Sequence, residues 1–468
     1  MSNALGAGSV KVTQNPTVLG HFDVVVVGGG PAGCSAALCA ARRGAQTLLV
    51  EQAGYLGGAT VSQLVVVILS TNGVDLQGVW HEFISRMKRQ NAVRLALCAD
   101  EGTPIRGSVD PEAVKFVWDE LLAEAGVALL HHASATGVLV EDSTAKGLVL
   151  ETVAGTWVVL ARRVIDCTGD GVVAAKAGVP WEQGDGEHAY AMALTKVLRL
   201  GNVRPPERPL DGRAIADLAA AWQQACKAGE YTTPIITSGR VLNYAKSLHW
   251  PLPAQRPEIA LVVSRVLKVN PLDPWELTEA EREGREQARQ LAHFYRKYVP
   301  GCEDSYLLDT SNHIGVRSSR RIEGLATVTA RDAIEFRKHP DGIARASWDI
   351  DVWPADNFTA SPVDRQSEAY RQRKADLAAG EYYDIRYGSL VAKGIDNLMV
   401  AGRCLSAEHI AQSSLRIQQT CMATGQAAGT ASAMSLAQGT SPRELDPLVV
   451  VAALARDREA VAPAFSFL

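Results

Sequence analysis

No run in this chain is long and apolar enough to cross a bilayer. The longest, LVVVAALA at 448–455, has eight residues, whereas a membrane-spanning helix needs roughly 20. A surplus of positive charge is also missing. The 47 basic and 51 acidic residues are well mixed and leave a net charge of −4, without the electropositive footprint that nucleic-acid binders need. No membrane span and no nucleic-acid partner are therefore expected. The eight cysteines, at 34, 39, 98, 167, 226, 302, 404 and 421, include no CxxC pair and no His/Cys cluster at metal-ligand spacing. This argues against iron–sulfur and structural zinc sites, and no metal is expected. Cys34 and Cys167 sit inside apolar runs, where cysteine acts as a small core residue, and a reducing compartment fits. Residues 1–20 lack the basic start and apolar block of a secretory leader. They read as a flexible arm, and the expected location is cytoplasmic.

With 468 residues, 47% of them hydrophobic, the chain can bury a large core and is expected to form two domains. Its ordered part opens on FDVVVVGGGPAGCSAALCAARRG, residues 22–44. Four valines followed by three glycines predict a buried strand turning sharply into a helix. Gly28, Gly30 and Gly33 fit the GxGxxG pattern, with Pro31 and Ala32 inside it. In that pattern the first glycine makes the tight turn, the second lets a pyrophosphate approach, and the third lets the helix pack closely on the strand. The helix start then offers unpaired N–H groups to the phosphates. A second strand, QTLLVE, ends at Glu51, eighteen residues past Gly33 and next to Gln52. There an acidic side chain meets the ribose hydroxyls, so the unit reads as a complete dinucleotide-binding βαβ.

Further along, Gly57 and Gly58 free the backbone for close approach, beside Ala59 and Thr60. SVDPEAVKFVWDELLAEAG, residues 108–126, predicts a helix capped by Asp110, with Pro111 in its first turn and Gly126 closing it. A short strand, VALL, follows. TGVLVED, KGLVLETV and GTWVVL predict a three-stranded antiparallel meander. RRVIDCTGDGVVAAKAG predicts another strand and a looser glycine turn at Gly169, Gly171 and Ala174. No strand ending in an acidic residue follows at the required distance, so this is not a second dinucleotide site.

The fold class is thus α/β, a Rossmann-like domain with a parallel sheet and a three-stranded meander, plus an inserted α+β substrate domain. The expected division is a flexible arm at 1–20, the nucleotide domain at 21–185, a substrate-covering domain at 186–386, and a return to the first domain at 387–468. The covering stretch carries proline-rich segments and a long charged helix, LTEAEREGREQARQLAHFYRKY. The return brings the strand IDNLMVAGR and the small-residue helix QQTCMATGQAAGTASAMSL.

Four patches resemble the glutathione-reductase-2 type of flavoproteins, and more narrowly the FAD-dependent oxidoreductase family related to fumarate reductase and succinate dehydrogenase flavoproteins. They are DVVVVGGGPAGCSAALCAARRGAQTLLVEQ with LGGAT, VIDCTGDG with AAKAGV, IGVRSSRRIEGLATVTARDA, and NLMVAGRCLSAEHIAQSSLRIQQTCMATGQAAGTASA. The resemblance implies FAD, with the first glycine turn on its pyrophosphate and the last helix aiming its start at the flavin ring. It assigns FAD contacts to Thr168, Gly169, Asp170, Gly402, Arg403, Gln418, Gln419 and Thr420. Where the wider group carries an acidic residue after the C-terminal glycine, this chain has Arg403. The GGAT region has no histidine for a covalent flavin link, so noncovalent FAD is expected.

The flavin carries hydride chemistry itself. A positive helix end at Gln418–Thr420 would stabilise the anion that builds on its reduced ring. Oxidation of an alcohol or amine carbon also needs a base, which suits histidine; His313 and His409 lie in the two patches expected to meet there. His249 is a weaker candidate. Arg317, Arg320 and Arg321 would share a helical turn and could clamp a carboxylate or phosphate, FAD's pyrophosphate or the other domain included, while Arg416, beside the expected flavin-facing helix, is the better candidate for a substrate anion. The expected activity is hydride transfer between a small polar metabolite and the flavin, as a dehydrogenase or oxidase. Oxygen or an unidentified redox partner would accept the electrons, and a homo-oligomer is left open. The alternatives are reduction of an activated alkene, or a non-catalytic FAD-binding subunit of a larger complex.

Overall fold

A computed structural model describes residues 16–70, 74, 78–97, 105–190, 192–204, 211–233, 257–353 and 367–461. Its centre is a seven-stranded mixed sheet. Ala128–Leu130, Thr47–Val50, Thr17–Val27 and Gly155–Asp166 run parallel in that order, and Leu398–Val400 joins the end of Gly155–Asp166, also in parallel. Thr144–Thr152 and Ser134–Glu141 complete the sheet as an antiparallel meander. Strands covered on both faces read as continuous apolar runs. Val24–Val27 obey this rule, with at most 5% exposure, each contributing about 1.5–3 kcal/mol by burial.

The central strand differs from its sequence reading. GTWVVL and RRVID look like separate strands, yet Gly155–Asp166 is one strand of twelve residues. Its first half pairs with the meander and its last three residues with Leu398–Val400. The charged pair that looked like a break turns its guanidiniums aside, Arg162 to Asp23 and Arg163 to Ser435 and the Thr440 carbonyl. The first strand also begins at Thr17, inside the expected arm, because its early residues pair with Trp157–Ala161. Residues 1–15 lie outside the described residues.

The helix over Pro111–Glu124 forms as its signals require: the Asp110 carboxylate accepts from Glu112 N–H at 2.9 Å, and Gly126 has φ +72°. The two ends of the chain lock together through the helices Pro31–Arg42 and Gln418–Ala437. A Cβ at Gly425 would lie 2.0 Å from the Ala32 carbonyl oxygen, and one at Gly429 2.1 Å from that of Ala36. Only glycine lets these backbones approach so closely.

The covering unit has its own core. Glu258–Leu261, Leu198–Gly201 and Tyr306–Thr310 form a three-stranded antiparallel sheet. The helices Gly212–Lys227 and Pro274–Tyr298 accompany it. Trp222 stacks on Tyr231 at 4.5 Å, with Phe294 edge-on. This core gathers residues from 198 to 302, whereas Ile322, Ile343, Ala346 and Tyr383 pack in the first core instead. The IGVRSSRR stretch is not a helical turn. Arg320–Ile322 is a strand paired with Trp181–Gln183, so Arg320 and Arg321 diverge. Arg320 lies 5.1 Å over the Trp181 ring, while Arg321 donates to the Gly184 carbonyl and Glu182. No helix among the described residues is long and apolar enough to cross a membrane.

Candidate cofactor cradle and active site

The first glycine turn leaves no room for a side chain at Gly28 or Gly33. Gly28 has φ +100°, and a Cβ there would meet the Cys167 carbonyl oxygen at 2.6 Å; one at Gly33 would meet that of Gly28 at 1.7 Å. Gly30 caps the helix Pro31–Arg42 with no side-chain bond. Pro31 has no N–H, so Ala32 and Gly33 supply the donors at the helix start. Glu51 is held against this turn, accepting from Gly29 N–H at 2.5 Å and Ala53 N–H at 2.7 Å. The neighbouring Gln52 is exposed.

Three other loops close around the turn. Gly58 packs backbone to backbone on Gly30, where an added Cβ would meet the Gly30 Cα at 2.7 Å. Thr60 donates to Gln418 Oε1 at 2.6 Å, and Gln418 Nε2 donates to the Val65 carbonyl at 2.6 Å. A Cβ at Gly402 would meet the Ala32 Cβ at 3.0 Å and the Cys421 Sγ at 3.8 Å. Gly402 thus brings the starts of the first and last helices side by side. The last helix is capped by Ile417 without a side-chain bond. In its first turn Gln419 and Thr420 are buried, and the Thr420 hydroxyl has no hydrogen-bond partner among the described residues.

The TGDG turn supports this arrangement from below. Asp166 is fully buried and accepts from Thr168 N–H, the Thr168 hydroxyl and Ala174 N–H. Burial nevertheless raises its carboxyl above the usual range. Arg403 Nη2 lies 2.7 Å from Asp170 Oδ1, which also accepts from Ser319 Oγ at 2.6 Å. Arg403, which stands where the wider group carries an acid, is thus itself paired with an acidic side chain from a different loop.

The four catalytic candidates fall into three settings. His409 begins the helix His409–Leu415, and Arg416 follows its end. Burial, with the nearby Arg321 and Arg416 charges, lowers the His409 pKa to about 4. Its imidazole is therefore neutral at pH 7, and its Nδ1 is buried without a partner among the described residues. Arg416 Nη2 donates to the Asp351 carbonyl at 3.0 Å and its Oδ2 at 3.1 Å. Arg317 donates to the Ala193 carbonyl and lies 5.1 Å over the Trp353 ring, while Arg265 covers that ring at 4.0 Å. Gln412, fully buried, ties the first two settings together by donating to the Arg317 carbonyl at 3.1 Å. His313 stands apart and exposed, on a strap whose N–H donates to the Ser62 carbonyl at 3.1 Å. His249 lies outside the described residues.

The strap is pinned by a part-buried ion pair that sequence reasoning missed. Lys196, 1% exposed, places Nζ 2.6 Å from Glu281 Oε2, and Glu281 Oε1 accepts from Ile314 N–H at 2.6 Å. Gly315 exchanges two backbone hydrogen bonds with Thr195. A lysine inside the apolar run MALTKVLRLG was the available signal. Gln412, Asp351, Trp353 and Arg265 were missed as well, and only Gln412, three residues after His409, stands at a telling spacing.

Uncapped helix starts, a cradle that any Cβ would fill and an orphaned hydroxyl together fit a dinucleotide laid across both helix starts. The family model for FAD dependent oxidoreductases matches residues 23–456. The chain belongs to that family. Among curated proteins it is similar to digeranylgeranylglycerophospholipid reductase 1 of Methanococcoides burtonii, 27% identical over 154 residues, covering 32% of this chain and 38% of that protein. It also resembles protein FixC of Escherichia coli, 29% identical over 172 residues, 34% of this chain and 39% of the relative. These matches span about two fifths of the relatives' length. Among solved structures, a geranylgeranyl bacteriochlorophyll reductase-like protein from Thermoplasma acidophilum covers 95% of this chain and 84% of its own, at 14% identity and a TM-score of 0.46. By family, the protein is an FAD-dependent oxidoreductase.

Proposed function

We propose that this enzyme transfers hydride between a C–H bond of a small polar substrate and its noncovalent FAD, as a dehydrogenase or oxidase. The observation that supports this reading is that two differently built walls are both tied to the short helix Ala59–Ser62, where His313 N–H donates to the Ser62 carbonyl and the Thr60 hydroxyl to Gln418. One is the pair of helix starts joined by Gly402. The other is the strap carrying His313, with Arg265 and Arg317 about Trp353. Bound FAD supplies the hydride acceptor or donor. The chain's own residues orient the substrate and handle its proton.

The assignments follow from environment. His409, held neutral, serves as a hydrogen-bonding group, since with a pKa of about 4 it takes up a proton poorly at pH 7. His313, exposed on the strap beside Ser62, is the better candidate for the substrate's O–H or N–H proton. Arg317 is the candidate for a substrate anion, because its planar guanidinium suits carboxylates. The reading keeps the remaining FAD assignments: Thr168, Gly169 and Asp170 in the TGDG turn, Arg403, which pairs with Asp170, and Gln418 and Gln419 in the first turn of the last helix.

The test is an anaerobic screen of polar metabolites against the purified, FAD-loaded protein, reading loss of the flavin absorbance. A bleaching substrate should exist, and His313→Gln should slow its bleaching about 10²–10⁴-fold with FAD retained. Admitting oxygen then separates an oxidase, which recovers fast, from a dehydrogenase, which does not. Bleaching by dithionite alone, with recovery driven by alkenes, would replace this reading with alkene reduction.

A further inference from the structure

Arg416 occupies a position that substrate binding does not explain. It ends one helix and directly precedes Ile417, the cap of the helix Gln418–Ala437, at the end of the cradle where the Thr420 hydroxyl is orphaned. Its Nη2 is taken by the backbone and side chain of Asp351. Its Nε is buried and has no hydrogen-bond partner among the described residues. The guanidinium cannot swing out to meet an incoming anion without breaking the Asp351 contacts.

The charged groups around it are few. Arg403 acts on it from the Gly402 turn, and is matched there by Asp170. His409 and the Cys421 thiol also face it, and both are neutral at pH 7: burial holds the first at about 4 and pushes the second up to about 12. Asp351 is thus its one ion-pair partner among the described residues. A charge in a water-poor setting acts over a longer range than one at the surface. The start of a helix already carries partial positive charge, to which a neighbouring cation adds.

We infer that the Asp351–Arg416 pair sets the reduction potential of the bound FAD: Arg416 raises it by reinforcing the positive end of the last helix, and Asp351 limits that effect. The inference rests on FAD lying across both helix starts. It makes Arg416 a residue acting on the cofactor's electron affinity, and it gives Asp351 a role opposite in sign.

The experiment needs no substrate. Wild type, Asp351→Asn and Arg416→Gln are purified with FAD and reduced against a reference dye. Asp351→Asn should favour the reduced form about tenfold, raising the two-electron potential by about 30 mV. Arg416→Gln should disfavour it by a similar factor, and Arg416→Lys should recover part of the loss. Should Arg416→Gln fail to fold, the upward shift in Asp351→Asn decides alone. Potentials that stay within about threefold of wild type, or move together, in FAD-replete protein would overturn this inference and leave the family reading intact. A wild-type protein that holds no FAD would overturn both.

Discussion

The glycine cradle and the arginine-rich cover are built by opposite means. The cradle is backbone: Gly28, Gly33, Gly58 and Gly402 matter because a Cβ would strike a neighbouring atom at 3.0 Å or less. The cover is long side chains from distant segments, with Lys196 on Glu281 and Arg265 and Arg317 on Trp353. Backbone approach tolerates no substitution, whereas side-chain contacts tolerate rearrangement. Damage to the first should therefore remove the cofactor, and damage to the second should change stability or turnover while FAD stays bound.

The sharpest break between the two is expected from Gly33→Val. With a Cβ position 1.7 Å from the Gly28 carbonyl oxygen, strand and helix must separate. The purified variant should carry no flavin and lose most of its cooperative unfolding. Lys196→Met attacks the cover instead and leaves the partly exposed Glu281 with Arg285 and the Ile314 N–H. We expect a loss of about 2–3 kcal/mol in urea unfolding, with FAD still bound. Flavin loss equal to that in Gly33→Val would erase the distinction between the regions.

His409 gives an intermediate effect with a defined sign. Its folded pKa of about 4 lies below the unfolded value of about 6.5. Between those values the unfolded chain binds a proton that the folded protein refuses. Stability is therefore complete above about pH 6.5 and falls as the pH drops toward 4, by up to about 3 kcal/mol. Urea midpoints at several pH values should show that slope in wild type and a flatter one in His409→Gln. A smaller effect is expected from Glu51→Gln, which keeps the shape but weakens the acceptor for Gly29 N–H and, on the proposed reading, for the FAD ribose. FAD affinity should drop about tenfold, by roughly 1–2 kcal/mol, with little change in the apoprotein.

The same contrast explains what the sequence made legible. Glycine spacing encodes close approach directly, so the βαβ unit, the Asp110-capped helix and the final small-residue helix could be read residue by residue. The arginine stretch could not. Arg317, Arg320 and Arg321 share a helical spacing, but Arg320–Ile322 pairs with Trp181–Gln183, a partner nearly 140 residues away, and long-range pairing overrides local spacing. Arg162 and Arg163 misled in the same way, because ion-pair and hydrogen-bond partners beyond the strand keep it continuous. The Lys196–Glu281 and Arg416–Asp351 pairs join residues 65 or more apart, and no local pattern marks such partners.

The most direct test of a cradle built from both chain ends is Thr420→Val. The exchange keeps the side chain's shape and removes a buried hydroxyl that no described residue satisfies. FAD binding by the deflavinated variant should weaken about 3–10-fold, with one FAD per chain, while the apoprotein unfolds at an unchanged or higher urea concentration. Unaltered FAD affinity together with a destabilised apoprotein would contradict the account, because the hydroxyl would then serve the protein's own packing and the last helix would not face the cofactor.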